Sequence, residues 1–488
     1  MEGLAKLRDE NAAGRTAAAP VLAVDLDGTL VKTDLLLESL LALLHQKPQY
    51  LFVLPLWLFR GKAYLKRQIS RRVSLDVRHL PYRNEFLHYL EGERAKGRSL
   101  VLATANDEQI ALQVADHLKL FDLVLASDGA NNLRGESKRD RLVAKFGEKG
   151  FDYAGDDRHD VVVWASARRA IVVGANSQVT SSAAKVAQVE KVFEGPRRSL
   201  ADYLEALRPR HWLKNLLVFV PLCAAHRFLE VDLLAKALLV FLAFGCFASS
   251  GYLLNDLLDL SADRRHPQKQ SRPFASGDLP LSYALAMITV LFCLGCILGR
   301  LLSPLCLEIL LIYFALTVTY SLYVKKIVLL DVILLAGLYT VRIMAGSAAV
   351  GIWPSYWLLA FSTFLFLSLA LVKRYGELIV MRGVEGKAAK ARGYEMTDAE
   401  LLAAMGTASG YLAVLVLALY ITSGTAQLLY GRHQLMWFLC PLLLYWISRV
   451  WLIAHRGKMH DDPLVFATKD PTSRILIFCM FAIAALAV

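Results

Sequence analysis

Charged residues are sparse in this chain. Only 20% of its 488 residues are Asp, Glu, Lys or Arg, while 56% are hydrophobic, above the roughly 45–50% of soluble domains. A single water-soluble globule does not fit that length and apolarity, and neither does intrinsic disorder. Cysteine is scarcer still. Cys223, Cys246, Cys293, Cys296, Cys306, Cys440 and Cys479 all fall in apolar stretches of the second part of the chain, so no disulfide framework follows. Cys293-Leu294-Gly295-Cys296 has CxxC spacing but lies inside an apolar run with no second pair, which leaves it no redox or zinc role. Met1–Arg15 lacks the apolar core of a secretory signal, so the first folded segment is expected in the cytoplasm. The charge that is present is unbalanced: 55 Lys and Arg against 43 Asp and Glu, a net +12. That excess suits a phosphate-bearing partner or an anionic membrane surface; no nucleic-acid partner is expected.

The sequence predicts two domains. Residues 1–197 read as a cytoplasmic α/β domain, and residues 198–488 as an all-α polytopic membrane domain. The seam lies near Glu194–Arg210, at the breaker Gly195-Pro196-Arg197-Arg198. In the first domain, Val21–Val24 and Leu100–Ala103 are short buried-strand patterns, with further candidate strands at Leu123–Ala126, Val161–Trp164 and Ala170–Val173. Strands alternating with helical patterns predict a doubly wound, mostly parallel sheet whose reactive groups gather at strand C-termini. Between the first two strands lie two apolar runs, Leu35–Leu44 and Tyr50–Phe59, each about half a membrane span. They read as a helical cap over about residues 33–85 that could touch the bilayer surface; a kinked hairpin dipping into the membrane is the alternative. In the second domain about nine apolar stretches centre near Val220, Phe244, Phe292, Leu311, Leu335, Phe364, Val414, Leu442 and Ala482. Alternate links carry Arg264-Arg265, Lys325-Lys326, Lys373-Arg374 with Lys387–Arg392, and Arg456 with Lys458. By the positive-inside rule those links face the cytoplasm, in a multi-pass protein of the inner (plasma) membrane.

Asp25-Leu26-Asp27-Gly28-Thr29 places two carboxylates two residues apart at the mouth of an apolar strand. One can be aimed at phosphorus while the other protonates the leaving oxygen. With Thr104, Lys138 and Gly155-Asp156-Asp157-Arg158-His159-Asp160, the segment resembles the haloacid-dehalogenase-like phosphatase superfamily. The resemblance implies that Asp25 forms an aspartyl-phosphate and that Asp27 serves as general acid and base. Thr104 and Lys138 would bind phosphate, and Asp25, Asp27, Asp156 and Asp160 would hold Mg²⁺. Either Asp157 or Asp160 could face that metal.

At the end of the second apolar stretch stands Asn255-Asp256-Leu257-Leu258-Asp259-Leu260-Ser261-Ala262-Asp263. In an uninterrupted helix Asn255, Asp259, Asp263 and Asp256 fall at about 0°, 40°, 80° and 100°, one narrow arc. Three carboxylates facing one way suit Mg²⁺ carrying a diphosphate, and Arg264, Arg265, Arg272 and the turn around Pro273 follow. The pattern is similar to the first metal motif of the UbiA-type intramembrane prenyltransferase superfamily. Several further segments resemble its polyprenyl-phosphate (decaprenyl-phosphate) phosphoribosyltransferase branch: Arg208–Asn215 with Lys214 and Asn215, Tyr320 with Lys325 and Asp331, Arg342, and Lys373-Arg374-Tyr375-Gly376-Glu377. Aromatic-acceptor relatives carry a second acidic cluster, whereas only Asp331 occupies the corresponding region here, among cations.

That resemblance implies transfer of a 5-phosphoribosyl group from phosphoribosyl diphosphate to a polyprenyl phosphate. Asp256, Asp259 and Asp263 would be catalytic and Mg²⁺-binding. Lys214, Asn215, Asn255, Arg264, Arg272, Tyr320, Lys325, Asp331, Arg342, Lys373 and Arg374 would bind substrate. The attached phosphatase-like domain would then remove the 5-phosphate, its apolar cap guiding the lipid product. An aromatic prenyltransferase with an attached phosphatase, and a lipid transporter or sensor with a regulatory phosphatase, are the competing readings. His460-Asp461-Asp462-Pro463 reads as a structured loop. Prenyl length and oligomeric state are not encoded legibly.

Overall fold

The computed structural model describes residues 20–128, 131–195, 199–381, 393–459 and 462–488. Pro196–Arg198 of the breaker, the basic run Lys387–Arg392 and the pair His460-Asp461 lie outside the described residues. The chain divides into two compact units. One combines the residues through Ala206 with Asp256–Ala286; the other combines Leu207–Asn255 with Met287–Val488.

In the first unit six parallel strands form one sheet: β1 (Val21–Val24), β2 (Leu100–Asp107), β3 (Leu123–Ser127), β4 (Phe151–Gly155), β5 (Arg169–Val173) and β6 (Gln188–Phe193), in the order β3-β2-β1-β4-β5-β6. Alternation along β1 sends Leu22 and Val24 into a cluster with Leu100, Leu102 and Ile171, while Ala23 joins Val101, Tyr153 and Trp164 on the other face. Both faces are covered, which is why these strands read as unbroken apolar runs. The order reverses between β1 and β4, so the reactive groups at their C-terminal ends meet at the switch point.

The cap is helical: α1 (Leu35–Gln46), a 3₁₀ turn over Pro48–Phe52, α2 (Leu54–Phe59) and α3 (Lys62–Ser70). Asp34 caps α1 by accepting the Leu37 amide. The helices α4 (Asn84–Ala95), α5 (Glu108–Leu118), α6 (Glu136–Phe146), α7 (Val161–Ser166) and α8 (Ser177–Val186) accompany the sheet. One expected strand is thereby corrected, because Val161–Trp164 is helix α7. Its β-branched run is overridden by a capping box, in which Asp157 and Asp160 each accept the other's backbone amide and start a helical turn. Trp164 then buries its ring against Tyr153, its Nε1 donating to the Tyr153 carbonyl at 3.1 Å.

On its other side β1 pairs with β4, a strand absent from the sequence expectation because Asp152 interrupts its apolar pattern. Asp152 is fully buried and accepts from both Arg98 and Arg168. Asp152→Ala leaves the buried Arg98 with Glu93 as its remaining carboxylate and should cost about 1–3 kcal/mol, read as a fall in the unfolding midpoint of the full chain. Asp152→Asn, which keeps one acceptor, should lose less.

In the second unit seven helices are long and apolar enough to cross a bilayer: α9 (Val231–Leu258), α10 (Leu281–Leu302), α11 (Pro304–Leu322), α12 (Leu330–Val350), α13 (Tyr356–Val380), α14 (Met396–Thr422) and α15 (His433–His455). The pair Pro463–Lys469 and Pro471–Ala487, bent by 88°, makes up to eight. Nine were expected, and the stretch near Val220 is the difference. Pro209–Phe219 is a 3₁₀ helix continued by the short helix Val220–Ala224, with Pro209 and Pro221 removing amide donors. It nonetheless runs antiparallel beside α9. Ser249 donates to the Leu207 carbonyl at 2.8 Å, Trp212 Nε1 donates to Ser249 at 2.9 Å, Phe219 meets Phe241, and Leu222 packs with Leu233 and Ala237.

Candidate active sites

Asp25, Asp156 and Asp160 offer carboxylate oxygens all within 4.8 Å of one another, the one such group of three or more metal-ligating side chains among the described residues. Asp25 follows β1 and Asp156 follows β4, so the switch point builds the cluster. Lys138 of α6, 3% exposed, reaches it with Nζ 2.7 Å from Asp25 Oδ2 and 3.9 Å from Asp160, and donates to Tyr153 at 2.8 Å. Gly28 is required here: its φ is +71°, and a Cβ would lie 2.0 Å from an Asp156 oxygen. Thr29 Oγ1 donates to Asp156 at 3.0 Å. Burial and the neighbouring carboxylates Asp160 and Asp25 hold the Asp156 carboxyl well above its usual range, the condition that a hard cation relieves. Of the two candidates left open by the sequence, Asp160 joins the cluster. Asp157 points half-exposed toward Arg134 and caps the following turn.

Asp27 stands apart from the three-carboxylate group. Its Oδ1 accepts the Leu35 amide at 3.1 Å. Burial, with the Asp34 charge beyond it, pushes its carboxyl up to about 7 against the opposing pull of Asn106 and Leu35, so it retains a proton near neutrality as a general acid must. Thr104 is 1% exposed on β2, its oxygen accepting from the Asn106 amide at 3.1 Å. The sequence reading missed Lys66. This lysine of cap helix α3 donates to the Ala105 carbonyl and to Asn132; burial lowers its ammonium pKa, against Asp27 and Asp34. One lysine among the nine Lys and Arg of residues 33–85 carried no distinguishing signal.

In the same unit the acidic motif departs from its expected phase. Helix α9 ends at Leu258, Asp259 takes φ −93° and ψ 9°, and a new helix runs Leu260–Arg265. The arc drawn for an unbroken helix therefore does not hold, and Asp256, Asp259 and Asp263 do not form a three-carboxylate group like that around Asp25. Asp256 and Asp263, both buried, instead share a cation. Arg272 donates to both, at 3.2 Å for Asp256. Asn255 and Asp259 are half-buried beside them. Arg264, expected as a phosphate ligand, is held by protein acceptors: NH1 and NH2 donate to Glu38 at 2.8 and 2.6 Å, and Nε to the Ala275 carbonyl at 2.9 Å.

The second unit holds three polar clusters. Lys214 Nζ lies 2.7 Å and Lys373 Nζ 3.4 Å from one oxygen of Asp462, with Tyr339 against the same carboxylate and a cavity of about 40 Å³ beside it. Asp462 also caps Pro463–Lys469, so the expected structured loop serves as the counter-ion of two candidate ligands. Arg342, 4% exposed, donates to Asn215, Tyr313 and the Leu338 carbonyl. Asn215 is fully buried and its Nδ2 has no hydrogen-bond partner. Arg374 and Asp331 bind each other in the interior, with Tyr320 and Glu377 completing the arginine and Tyr394 the carboxylate. The two expected substrate ligands thus pair with each other here. Lys325 is half-buried on the 3₁₀ turn after α11.

Residues 216–470 match the UbiA prenyltransferase family. Among curated proteins, the chain is 36% identical over 457 residues to the uncharacterized protein y4nM of Sinorhizobium fredii, covering 93% of this chain and 88% of that protein. It is 39% identical over 281 residues to the nodulation protein NoeC of Azorhizobium caulinodans, covering 56% of this chain and 89% of that one. It is 34% identical over 193 residues to the decaprenyl-phosphate phosphoribosyltransferase of Mycobacterium tuberculosis, covering 38% and 63%. Among solved structures, a UbiA homolog from Archaeoglobus fulgidus bound to DMAPP and Mg²⁺ aligns over 58% of this chain and 99% of its own, with 17% identity and TM-score 0.45.

Proposed function

Because the chain belongs to the UbiA prenyltransferase family, with seven apolar helices of membrane-spanning length, we propose that it carries out two consecutive steps on a membrane lipid. The first moves a 5-phosphoribosyl group from phosphoribosyl diphosphate to a polyprenyl phosphate, and the second removes the 5-phosphate. The observation that carries the first step is the imbalance of charge. Acid gathers at Asp256–Asp263, whereas Lys214 before it and Lys325 and Lys373 after it are cations, two of them sharing the single carboxylate Asp462, and Asp331 is neutralised by Arg374. Cations without a second acidic cluster suit a lipid phosphate and a sugar phosphate. Similarity to decaprenyl-phosphate phosphoribosyltransferases supports the same choice.

Asp256, Asp259 and Asp263, with Asn255, would hold Mg²⁺ on the diphosphate; that Asp256 and Asp263 already share a guanidinium supports their fitness for a cation. Asp25, Asp156 and Asp160 would hold the second Mg²⁺, an all-oxygen donor set. At each place the ion would offset developing negative charge on phosphate oxygens. Lys214 and Lys373 orient the attacking lipid phosphate after displacing Asp462, and the buried Asn215 amide supplies a further donor. As diphosphate leaves, positive charge grows on the anomeric carbon and the lipid oxygen closes on it. In the second step Asp25 attacks phosphorus, Asp27 protonates the departing ribose oxygen, and Lys138 holds Asp25 and the phosphate. Water then cleaves the aspartyl-phosphate with Asp27 as base.

The orientation proposed is cytoplasmic for the first unit. Its Arg264, Arg265, Lys269 and Arg272 lie on the link after α9, the first of the alternating basic links. The test is mass spectrometry of lipid formed from phosphoribosyl diphosphate, polyprenyl phosphate and Mg²⁺. Wild type should yield the ribosylated lipid, Asp25→Asn its 5-phosphorylated precursor, and Asp256→Asn neither. Consumption of a prenyl diphosphate with an aromatic acceptor, and none of phosphoribosyl diphosphate, overturns the assignment.

A further inference from the structure

The cap has a complete small core of its own. Leu43, Trp57, Ile69 and Val73 are buried together, and the Arg72 guanidinium lies over the Trp57 ring at 4.8 Å. Yet the turn beyond that core is turned outward: Leu51 is 57% exposed, Phe52 82%, Leu56 63%, Leu58 53% and Phe59 89%. Two prolines, Pro48 and Pro55, stand in the first turns of the 3₁₀ helix and α2, and Gly61 at φ +102° reverses the chain after them. The apolar residues therefore form a stiff, blunt tip. Apolar surface of this kind marks an interaction site rather than incomplete packing.

The charge around the tip identifies its occupant. No Asp or Glu occurs between Glu38 and Asp76, while Lys47, Arg60, Lys62 and Arg71 are exposed about it. An apolar tip ringed by cations is the pattern of a surface that sits at the headgroup boundary of an anionic leaflet. A chain with membrane-spanning helices is never away from such a leaflet, and the stretch Pro48–Phe59 is too short to cross it.

We propose that Leu51, Phe52, Leu56, Leu58 and Phe59 form a bilayer-docking tip that seats the cap in the anionic leaflet and presents lipid-borne phosphomonoesters to the Asp25 centre. Docking rests on the exposed tip and its cations; presentation of substrate rests on the phosphatase reading above, and the two are tested separately. For docking, p-benzoylphenylalanine is placed at position 59 of the full chain in nanodiscs of phosphatidylcholine with and without phosphatidylglycerol. Irradiation should attach lipid at position 59, more with phosphatidylglycerol, and none at the control position 148. Cross-links to a second copy of the chain, or no lipid adduct, overturn docking.

For presentation, Phe52→Ser/Phe59→Ser alters only exposed side chains. It should raise KM for the 5-phosphoribosylated lipid about tenfold or more, as loss of two apolar anchors requires, with kcat and the hydrolysis of water-soluble ribose 5-phosphate unchanged. An unchanged lipid KM overturns presentation. Wild type that releases phosphate from neither substrate overturns the phosphatase reading, and the cross-linking result then still decides docking.

Discussion

Lys138→Met should lower phosphate release by about 10²–10³-fold, the scale on which a preorganised cation acts at a reacting oxyanion. Among the described residues, Lys138 is the basic side chain paired with the cluster's carboxylates, at 2.7 Å from Asp25 and 3.9 Å from Asp160. Without it Asp25, the proposed nucleophile, faces Asp156 and Asp160 with no cation to offset them, and an incoming phosphate adds to the repulsion. The same change leaves buried like charge unpaired, a cost of about 3–5 kcal/mol. The variant's unfolding midpoint should therefore fall, and Mg²⁺ should raise it more than it raises that of wild type, because the ion replaces the missing charge. Lys138→Arg should recover little activity, since a side chain only 3% exposed leaves no room for the wider guanidinium. Phosphate release within threefold of wild type in Lys138→Met would remove the lysine from the chemistry.

The places where the sequence was legible share one property: a local pattern that tertiary packing had no reason to contradict. Apolar Val21–Val24 followed by Asp25 and Asp27 could only be a buried strand delivering carboxylates to its end, and the separated Lys138, Asp156 and Asp160 converge on it. Illegibility arose where long-range pairing decided the outcome. Asp152 made β4 look polar because its partners Arg98 and Arg168 are 54 and 16 residues away. Val161–Trp164 has strand composition, but its helix is set by the Asp157–Asp160 capping box before it. The phase of Asp256, Asp259 and Asp263 failed at a single residue, Asp259, where α9 breaks. Arginine roles were the hardest to read. Arg264, Arg342 and Arg374 look alike in sequence as phosphate ligands, and nothing local announces the protein acceptors that each one engages. Lysines 214 and 373, held by one shared carboxylate, keep donors to offer.

Glu38→Ala should depress the proposed phosphoribosyl transfer about 10²-fold although Glu38 lies in the cap of the α/β domain. Glu38 and Arg264 are 5% and 6% exposed and joined by two hydrogen bonds, and Arg264 directly follows Asp263 in the chain. Around them Lys32 pairs with Asp278 at 3.1 Å, and Gly277, at φ +75°, packs so closely that a Cβ would meet Lys32 at 2.7 Å. The link between α9 and α10 is thus fastened to the base of the cap on both sides of Arg272, the residue that joins Asp256 to Asp263. Removing Glu38 leaves Arg264 buried without its counter-ion, which is strongly destabilising for such a pair, and the link relaxes to find solvent for it. A displacement of about 1 Å at a reacting group is enough for a loss of this size. The effect should fall on the KM for phosphoribosyl diphosphate and on the Mg²⁺ requirement, with the KM for polyprenyl phosphate nearly constant, a division that general unfolding would not produce. Glu38→Met/Arg264→Met, which replaces the pair by apolar side chains of similar volume, should regain stability and most of the rate. Equal rates for Glu38→Ala and wild type would show that the acidic motif holds its shape without the cap, and the fusion would then be a tether only.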